Sequence, residues 1–194
     1  MKLFQPRAPG PVRQREAGRE VVSVTLRDAR TSKDDRDWIR AVYRDYLSEL
    51  SASKSGLFPA LGEWSARESE FLAGWFADSG AYPFVILDAA ERVGFALVSR
   101  PGRTPRPGAD FRMSEFFIID RARRRGVGAG AAELLFHRFA GEWEVVEDEY
   151  NRPALLFWRR VITRLTAGRF AETRSAGEVR HRFRIEARPP TGRA

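Results

Sequence analysis

The segment 111–139 constrains the fold of this chain more than any other part of the sequence. Residues 111–119 are mostly apolar and predict a β-strand, and residues 127–139 have the spacing of an amphipathic helix. The turn between them, residues 121–126, contains four arginines and ends on Gly126. A helix that begins directly after such a turn collects free backbone N–H groups and the positive end of its dipole at one point. The segment therefore predicts a binding site for a phosphate group.

Two common phosphate loops fit this turn poorly. A P-loop requires a lysine followed by serine or threonine after its last glycine, and both are absent here. Gly126, Gly128 and Ala131 match the dinucleotide fingerprint G-x-G-x-x-G/A, with Glu147 about 20 residues further on. That match is weak, because arginines separate the strand from the glycines and too few residues follow to complete a doubly wound sheet.

The turn fits a third type of loop, the pyrophosphate loop of acyl-CoA enzymes. Residues 123–128 match the pattern Q/R-x-x-G-x-G/A, and with this pattern the chain resembles the GNAT superfamily of acyl-CoA-dependent N-acyltransferases. Residues 151–158 are similar to a second motif of that superfamily, in which Asn151 and Ala154 would open a helix. The resemblance spans residues 21–187 and is most specific at 115–130.

The other segments predict one α+β domain, with elements in the order β-α-α-β-β-β-α-β-α-β-β. A hairpin in the middle implies a mixed sheet, and the resemblance implies a layered α/β/α arrangement with a mostly antiparallel, twisted sheet between helices. We expect a flexible basic arm at 1–20, an N-acetyltransferase domain at 21–187 and a flexible tail at 188–194. The strands that could be located are 21–26, 84–87, 93–98, 111–119, 143–146 and 179–186, and the helices are 38–50, 65–76, 127–139 and 153–165.

The composition limits the chemistry. The chain has no cysteine, which excludes disulfide scaffolds and cysteine nucleophiles, and its two histidines, His137 and His181, argue against a multi-histidine metal centre. No apolar run is long enough for a secretory signal or a membrane span. We therefore expect a cytoplasmic protein with no metal and no membrane partner. The net charge of +8 comes with arginine in place of most lysines, which we interpret as the bias of a GC-rich coding sequence rather than as a nucleic-acid surface.

The resemblance implies that acetyl-CoA is the co-substrate and that it binds in a V-shaped opening between the fourth and fifth strands. The pantetheine arm would extend the fourth strand by backbone hydrogen bonds, and a backbone N–H would stabilise the developing oxyanion. The residues so implied are Phe117 and Ile118 for the pantetheine, Arg123, Arg124, Arg125, Gly126, Val127, Gly128, Ala129 and Gly130 for the pyrophosphate, and Asn151 for the far side of the arm.

Transfer to an amine requires a base or a water path, and sometimes an acid for the leaving thiolate. Glu115, on the fourth strand, is a candidate base, and the alternative is that it pairs with a nearby arginine. The superfamily often has a tyrosine acid seven residues after the second-motif asparagine, but that position is Trp158 here, and an indole N–H cannot protonate a thiolate. One expectation is therefore that the thiolate leaves unassisted or through water. Tyr150 is a substitute candidate acid, with packing at the strand end as the alternative.

The function implied is transfer of an acetyl group from acetyl-CoA to a primary amine of a small molecule or peptide, by direct attack in a ternary complex. One alternative is a CoA-binding sensor without turnover, since Trp158 replaces the tyrosine. Another is a nucleic-acid-binding module that would use the arm, residues 121–125 and the basic stripe formed by Arg180, Arg182 and Arg184. The same stripe is equally consistent with a homodimer surface or with a solvated face.

Two expectations concern residues outside these motifs. The acidic run 147–149 is expected to be a solvated strand end, with attraction of a cationic amine as the alternative. His181 alternates with the charged positions of the last strand and is expected to be a hydrogen-bonded core histidine.

Overall fold

The computed structural model describes residues 23–52, 70–100 and 108–187. The predicted arm at 1–20 and tail at 188–194 lie outside these residues, as does the first part of the helix predicted at 65–76. The strands are β1 (Val24–Asp28), β2 (Ala81–Asp88), β3 (Glu91–Ser99), β4 (Phe111–Ile118), β5 (Gly141–Asp148), β6 (Phe170–Ser175) and β7 (Glu178–Ile185).

These strands form one sheet in the order β1-β2-β3-β4-β5-β7-β6. Neighbouring strands are antiparallel, except that β4 and β5 are parallel. A parallel pair requires a crossover connection, and here the crossover contains the helix that follows the arginine-rich turn. The prediction of a mixed, mostly antiparallel sheet is confirmed.

In the described ranges, four α-helices flank the sheet, and their positions agree with the sequence patterns to within a few residues. The first strand, predicted at 21–26, is displaced: β1 begins at Val24. Among these helices, none is both long enough and apolar enough to span a bilayer. The helices are α1 (Lys33–Ala52), α2 (70–77), α3 (Val127–Arg138) and α4 (Arg152–Thr166).

The helices form two layers, each over its own apolar core. Under α3 and α4 the core includes Trp143 and Trp158, both almost completely buried. Under α1 and α2 it includes Ile39, Tyr43 and Leu47, which recur along one face of α1. The sheet between the two layers gives the expected α/β/α arrangement.

Buried Asp35 fixes the start of α1 to the sheet. Its carboxylate accepts hydrogen bonds from Arg27 at 2.5 and 2.7 Å and from Arg92 at 2.7 Å. The bonds from Arg27 and Arg92 hold the pKa of Asp35 below its usual range against the effect of burial. The anchored helix carries Tyr46 on its second half, where its ring reaches Phe117 of β4.

Candidate active site

β4 and β5 are paired only near their N-terminal ends. No further pair forms between the described residues of the two strands, although β4 continues to Ile118 and β5 to Asp148. Their C-terminal halves therefore border a wedge, which we call the β4–β5 opening. The ladder before it consists of Phe111 with Trp143, Arg112 with Glu144, and Met113 with Val145.

A β-bulge in β4 lies where the two strands separate. Val98 of β3 pairs with Met113, and the preceding residue, Leu97, pairs with Glu115, so Ser114 is an extra residue. An extra residue bends a strand and increases its twist. We therefore attribute the separation of β4 from β5 to this bulge.

The bulge also decides which layer Glu115 faces. Met113 belongs to the core under α3 and α4, whereas Phe117 belongs to the core under α1 and α2. Side chains alternate along a regular strand, so in a strand without a bulge Met113, Glu115 and Phe117 would all face α3 and α4. Because of the bulge, Glu115 faces α1.

Beyond the bulge, the backbone of β4 offers hydrogen-bonding groups to the opening at alternate residues. The Phe117 carbonyl points to β3, since a Cβ built on Gly94 would lie 2.3 Å from its oxygen, and the Ile119 N–H donates to Val93 O at 3.0 Å. The groups of Phe116 and Ile118 therefore point to the opposite edge. The Phe117 backbone, expected to meet the pantetheine, instead faces β3, and its side chain is buried under α1. The Ile118 backbone faces the opening.

The predicted pyrophosphate loop is a left-handed turn that leads into α3. Gly126, with φ of +91°, is the N-cap, and the first intrahelical bond runs from Gly130 N–H to Gly126 O at 2.9 Å. Within the described part of the chain, the backbone N–H groups of residues 126–129 have no acceptor. Four free donors at the positive end of a helix fit a diphosphate.

The three arginines of the loop differ in their surroundings. Arg123 turns away from it: its Nε donates to Ile118 O at 2.6 Å, and another guanidinium nitrogen lies 2.7 Å from Glu49 of α1. Arg125 lies 3.7 Å from Asp88. Arg124 is exposed and forms no ion pair with the described residues. All three arginines were expected to contact the pyrophosphate. Among the described residues, only Arg124 has a side chain that faces solvent and lacks an ionic partner.

Glu115 lies at the opening beneath α1. The hydroxyl of Tyr46 donates a hydrogen bond to its Oε2, and the Tyr46 ring packs against Phe95 and Phe117. Burial raises the pKa of Glu115 to about 7, while the bond from Tyr46 and the charge of Arg112 act in the opposite direction. The alternative expectation, an ion pair with an arginine, is not met among the described residues. Tyr46 lies within the helix predicted at 38–50, but the sequence does not indicate that it is the partner of Glu115.

Glu147 lies on the other side of the opening, and the expectation that it is a solvated strand end is wrong. It is half-buried, and the indole N–H of Trp158 donates to its Oε1 at 2.7 Å. Burial raises the pKa of Glu147 to about 7. The negative charge of Asp148 also raises this pKa, whereas the hydrogen bond from Trp158 lowers it. A signal existed in the sequence, because Trp143, Val145 and Glu147 occupy alternate positions of one strand and a buried indole N–H needs an acceptor.

Asn151 and Tyr150 are neighbours with different surroundings. Asn151 is the N-cap of α4, and its Oδ1 accepts a hydrogen bond from Ala154 N–H at 3.4 Å, as the second motif implies. Tyr150 is 65% exposed and lines a pocket of about 350 Å³ with Arg152, Leu156 and others. The described lining of that pocket includes neither Glu115 nor any loop residue. The structure therefore does not bring Tyr150 together with Glu115.

The remaining candidates have structural partners. Arg180 and Arg182 lie 2.5 and 3.1 Å from the buried carboxylate of Glu144, which offsets part of the charge of the basic stripe. His181 is buried and its Nε2 lies 3.1 Å from Glu172, as expected for a core histidine. In the ranges that the structure describes, no three His, Cys, Asp or Glu side chains are grouped so that they could hold a metal ion.

Solved structures share this architecture. An acetyltransferase from Thermus thermophilus matches 85% of this chain and 99% of its own, with a TM-score of 0.60 and 18% identity. The PaiA N-acetyltransferase of Thermoplasma acidophilum, in complex with coenzyme A, matches 84% and 99%, with a TM-score of 0.58 and 10% identity. A GNAT-family protein from Desulfovibrio desulfuricans matches 84% and 99%, with a TM-score of 0.55 and 15% identity. No protein-family model and no curated protein matches the chain. At these identities the likeness concerns the fold.

Proposed function

We propose, from the premise that this chain has the GNAT fold, that it is an acetyl-CoA-dependent N-acetyltransferase acting on a primary amine of a small molecule or peptide. The observation that carries the proposal is the β4–β5 opening, which has Glu115 on its β4 side. It lies next to the start of α3, where four N–H groups have no acceptor among the described residues. A single ligand with a diphosphate, an amide-bearing arm and a reactive thioester fits these features together.

The loop and the strand edge would divide the binding of acetyl-CoA. The N–H groups of residues 126–129 would hold the diphosphate, with Arg124 as a nearby cation. The free edge of β4 would bind the amides of the arm through Phe116 and Ile118, as an added strand does. Because Arg123 already occupies the Ile118 carbonyl, the arm would use the groups of Phe116 and the N–H of Ile118.

Glu115 would act as the base. The attacking amine nitrogen must give up a proton as the amide forms, and a carboxylate with a pKa of about 7 accepts one near neutral pH more effectively than an ordinary glutamate does. Glu115 and Tyr46 both lie on the α1 side, so the acceptor amine would enter from that layer. An N–H group at the edge of β4 would stabilise the negative charge that develops on the thioester oxygen.

Calorimetric titration with acetyl-CoA and desulfo-CoA tests the binding part of this proposal. Gly126→Asp places a negative charge at the loop and should weaken binding at least about tenfold. Gly177→Asp is the matched control: Gly177 has φ of +78°, and a Cβ at either glycine would meet nothing within 4 Å. Equal affinities in the two variants would show that the diphosphate binds elsewhere.

A thiol-release assay over a panel of amines tests the transfer. We expect that CoA is released only when an acceptor amine is present, and that one amide forms for each thiol released. Tight binding of acetyl-CoA without release, for a panel of small amines and peptide N-termini, would contradict the enzymatic assignment and favour a CoA-binding sensor.

A further inference from the structure

We propose that Glu147 is the general acid that protonates the departing thiolate of CoA, and that Trp158 positions its carboxyl group. This inference rests on the proposed function. It assigns a proton donor to a chain in which the position of the expected tyrosine is occupied by a tryptophan.

The two carboxyl groups at the opening face opposite helix layers. Glu115 is bonded to Tyr46 of α1, and Glu147 is bonded to Trp158 of α4. The loop expected to bind the diphosphate leads into α3, which lies in the same layer as α4. The amine side and the CoA side of the opening therefore each have one carboxyl group.

Trp158 directs Glu147 to the place where an acid is needed. The GNAT resemblance puts the acidic hydroxyl at the end of the side chain seven residues after Asn151. At the end of that side chain, the indole N–H meets Glu147 Oε1 at 2.7 Å. An indole N–H keeps its proton, but a carboxyl group can transfer one.

The tryptophan is a rigid support. It is 2% exposed, and its ring packs against Phe116, Phe136 and Phe157 at centroid distances of 5.1, 6.0 and 4.8 Å. A ring fixed on several sides can orient a hydrogen bond with little loss of conformational entropy on binding. Phe116 belongs to β4, so the support reaches across the opening.

The proton transfers balance over one turnover. The neutral amine attacks the thioester carbonyl and forms the C–N bond, and its proton passes to the Glu115 carboxylate. The C–S bond then breaks, its electron pair stays on sulfur, and the thiolate takes the proton of the Glu147 carboxyl group. The products are an amide and CoA thiol; proton exchange with water returns Glu115 to the carboxylate and Glu147 to the acid.

The charged and titratable groups around Glu147 suit a proton donor. Asp148, on the same strand, disfavours ionisation of Glu147. Glu115 of β4 and Tyr46 of α1 interact electrostatically with Glu147. On β7 the residue opposite Glu147 is Val179, and on α4 its partner is the uncharged Trp158. With a pKa of about 7, Glu147 is protonated to a useful degree at neutral pH.

The main test compares kcat as a function of pH for wild type and Glu147→Gln. The wild-type kcat should fall above about pH 7, whereas the variant should have a kcat lower by about 10²-fold and no alkaline fall. Affinity for desulfo-CoA should be unchanged. Glu149→Gln, a nearby acidic residue for which no role is proposed, is the matched control and should behave as wild type.

A second pair of variants keeps the test decisive if Glu147→Gln is poorly folded. Trp158→Phe removes the bond that lowers the pKa of Glu147, so the alkaline fall should move to higher pH. Trp158→Tyr in the Glu147→Gln background should recover activity, because it restores a phenol at this position. A purely structural role of Glu147 would change stability without moving the alkaline limb.

Failure of this inference can be told apart from failure of the proposed function. If wild type releases no thiol with any amine, the proposed function fails. If wild type turns over and Glu147→Gln keeps the same kcat and the same alkaline limb, only the assignment of Glu147 is overturned.

Discussion

The two halves of β4 differ in what surrounds them. Phe111–Met113 has a paired strand on both sides, and Arg112 lies near the buried Glu144 of the neighbouring strand. Residues 115–118 have a paired strand on one side, and their only acidic side chain, Glu115, has a tyrosine rather than an arginine as its partner. One residue, Ser114, separates the two halves.

The difference shows how one strand can contribute to both stability and reactivity. Where the ladder is complete, backbone groups are satisfied and charges are compensated, so nothing is left to bind a ligand. Where it is interrupted, backbone groups become available and a buried carboxyl group keeps its proton up to neutral pH. Substitutions in the two halves should therefore have different consequences.

Glu115→Gln should have the largest effect and should act on chemistry. Loss of a general base lowers kcat/KM by about 10²- to 10⁴-fold near pH 8, and the rise of activity with pH up to about 7 should disappear. A pH profile from about 5 to 9 measures both effects. An unchanged profile would exclude Glu115 as the base.

The same variant should alter how stability depends on pH. Since the pKa of Glu115 in the folded state is about 7, above its usual value of 4.5, the native protein binds more protons than the unfolded chain between these pH values. Wild-type stability should thus decrease as pH rises through this window, by on the order of 2 kcal/mol from this group, and Glu115→Gln should lack this contribution. Urea unfolding at about pH 5 and about pH 8 compares the two proteins.

Met113→Ala, in the paired half, should act on stability alone. Met113 is 3% exposed in the core under α3 and α4, and removing such a side chain costs about 2–5 kcal/mol. Urea unfolding measures the loss, while kcat at a temperature well below the melting point should stay within about threefold of wild type. A fall in kcat comparable to that of Glu115→Gln in the fully folded variant would refute the division of β4.

Tyr46→Phe should have the smallest effect, a displacement of the pH profile. The Tyr46 bond lowers the pKa of Glu115, so its loss should move the acid limb of kcat/KM upward by about 1 pH unit, toward the alkaline limb. Tyr82→Phe is the control, because Tyr82 packs on Phe139 in the other layer. An acid limb that stays in place would mean that Tyr46 does not influence the base.

Local patterns were sufficient to predict most of the fold. The predictions of the last strand, of the helix at 38–50 and of the hairpin in the middle of the chain each depend on residues close in sequence. Each of these elements is present. The turn before α3 was equally readable, because glycine conformation and free N–H groups follow from the local chain.

The arrangement of the site was less accessible to sequence reasoning. Tyr46 and Glu115 are 69 residues apart, so their bond depends on how α1 docks on the sheet. The bulge at Ser114 is invisible in a pattern of apolar residues, yet it determines the face of Glu115 and the direction of the Phe117 backbone. The acidic run 147–149 predicts a solvated strand end, because three acidic residues in succession are usually solvated. In the structure, the first of them accepts a hydrogen bond from the buried indole of Trp158.

The extra residue at position 114 also makes the site easy to lose. Deleting Ser114 would leave Glu115 opposite Leu97 and on the same face, but would remove the bend that parts β4 from β5. The parallel ladder could then run on, and the protein would saturate its own strand edge. Deletion of this single residue would in this way replace the ligand-binding opening with a continuous sheet, although Glu115 and Glu147 would both still be present.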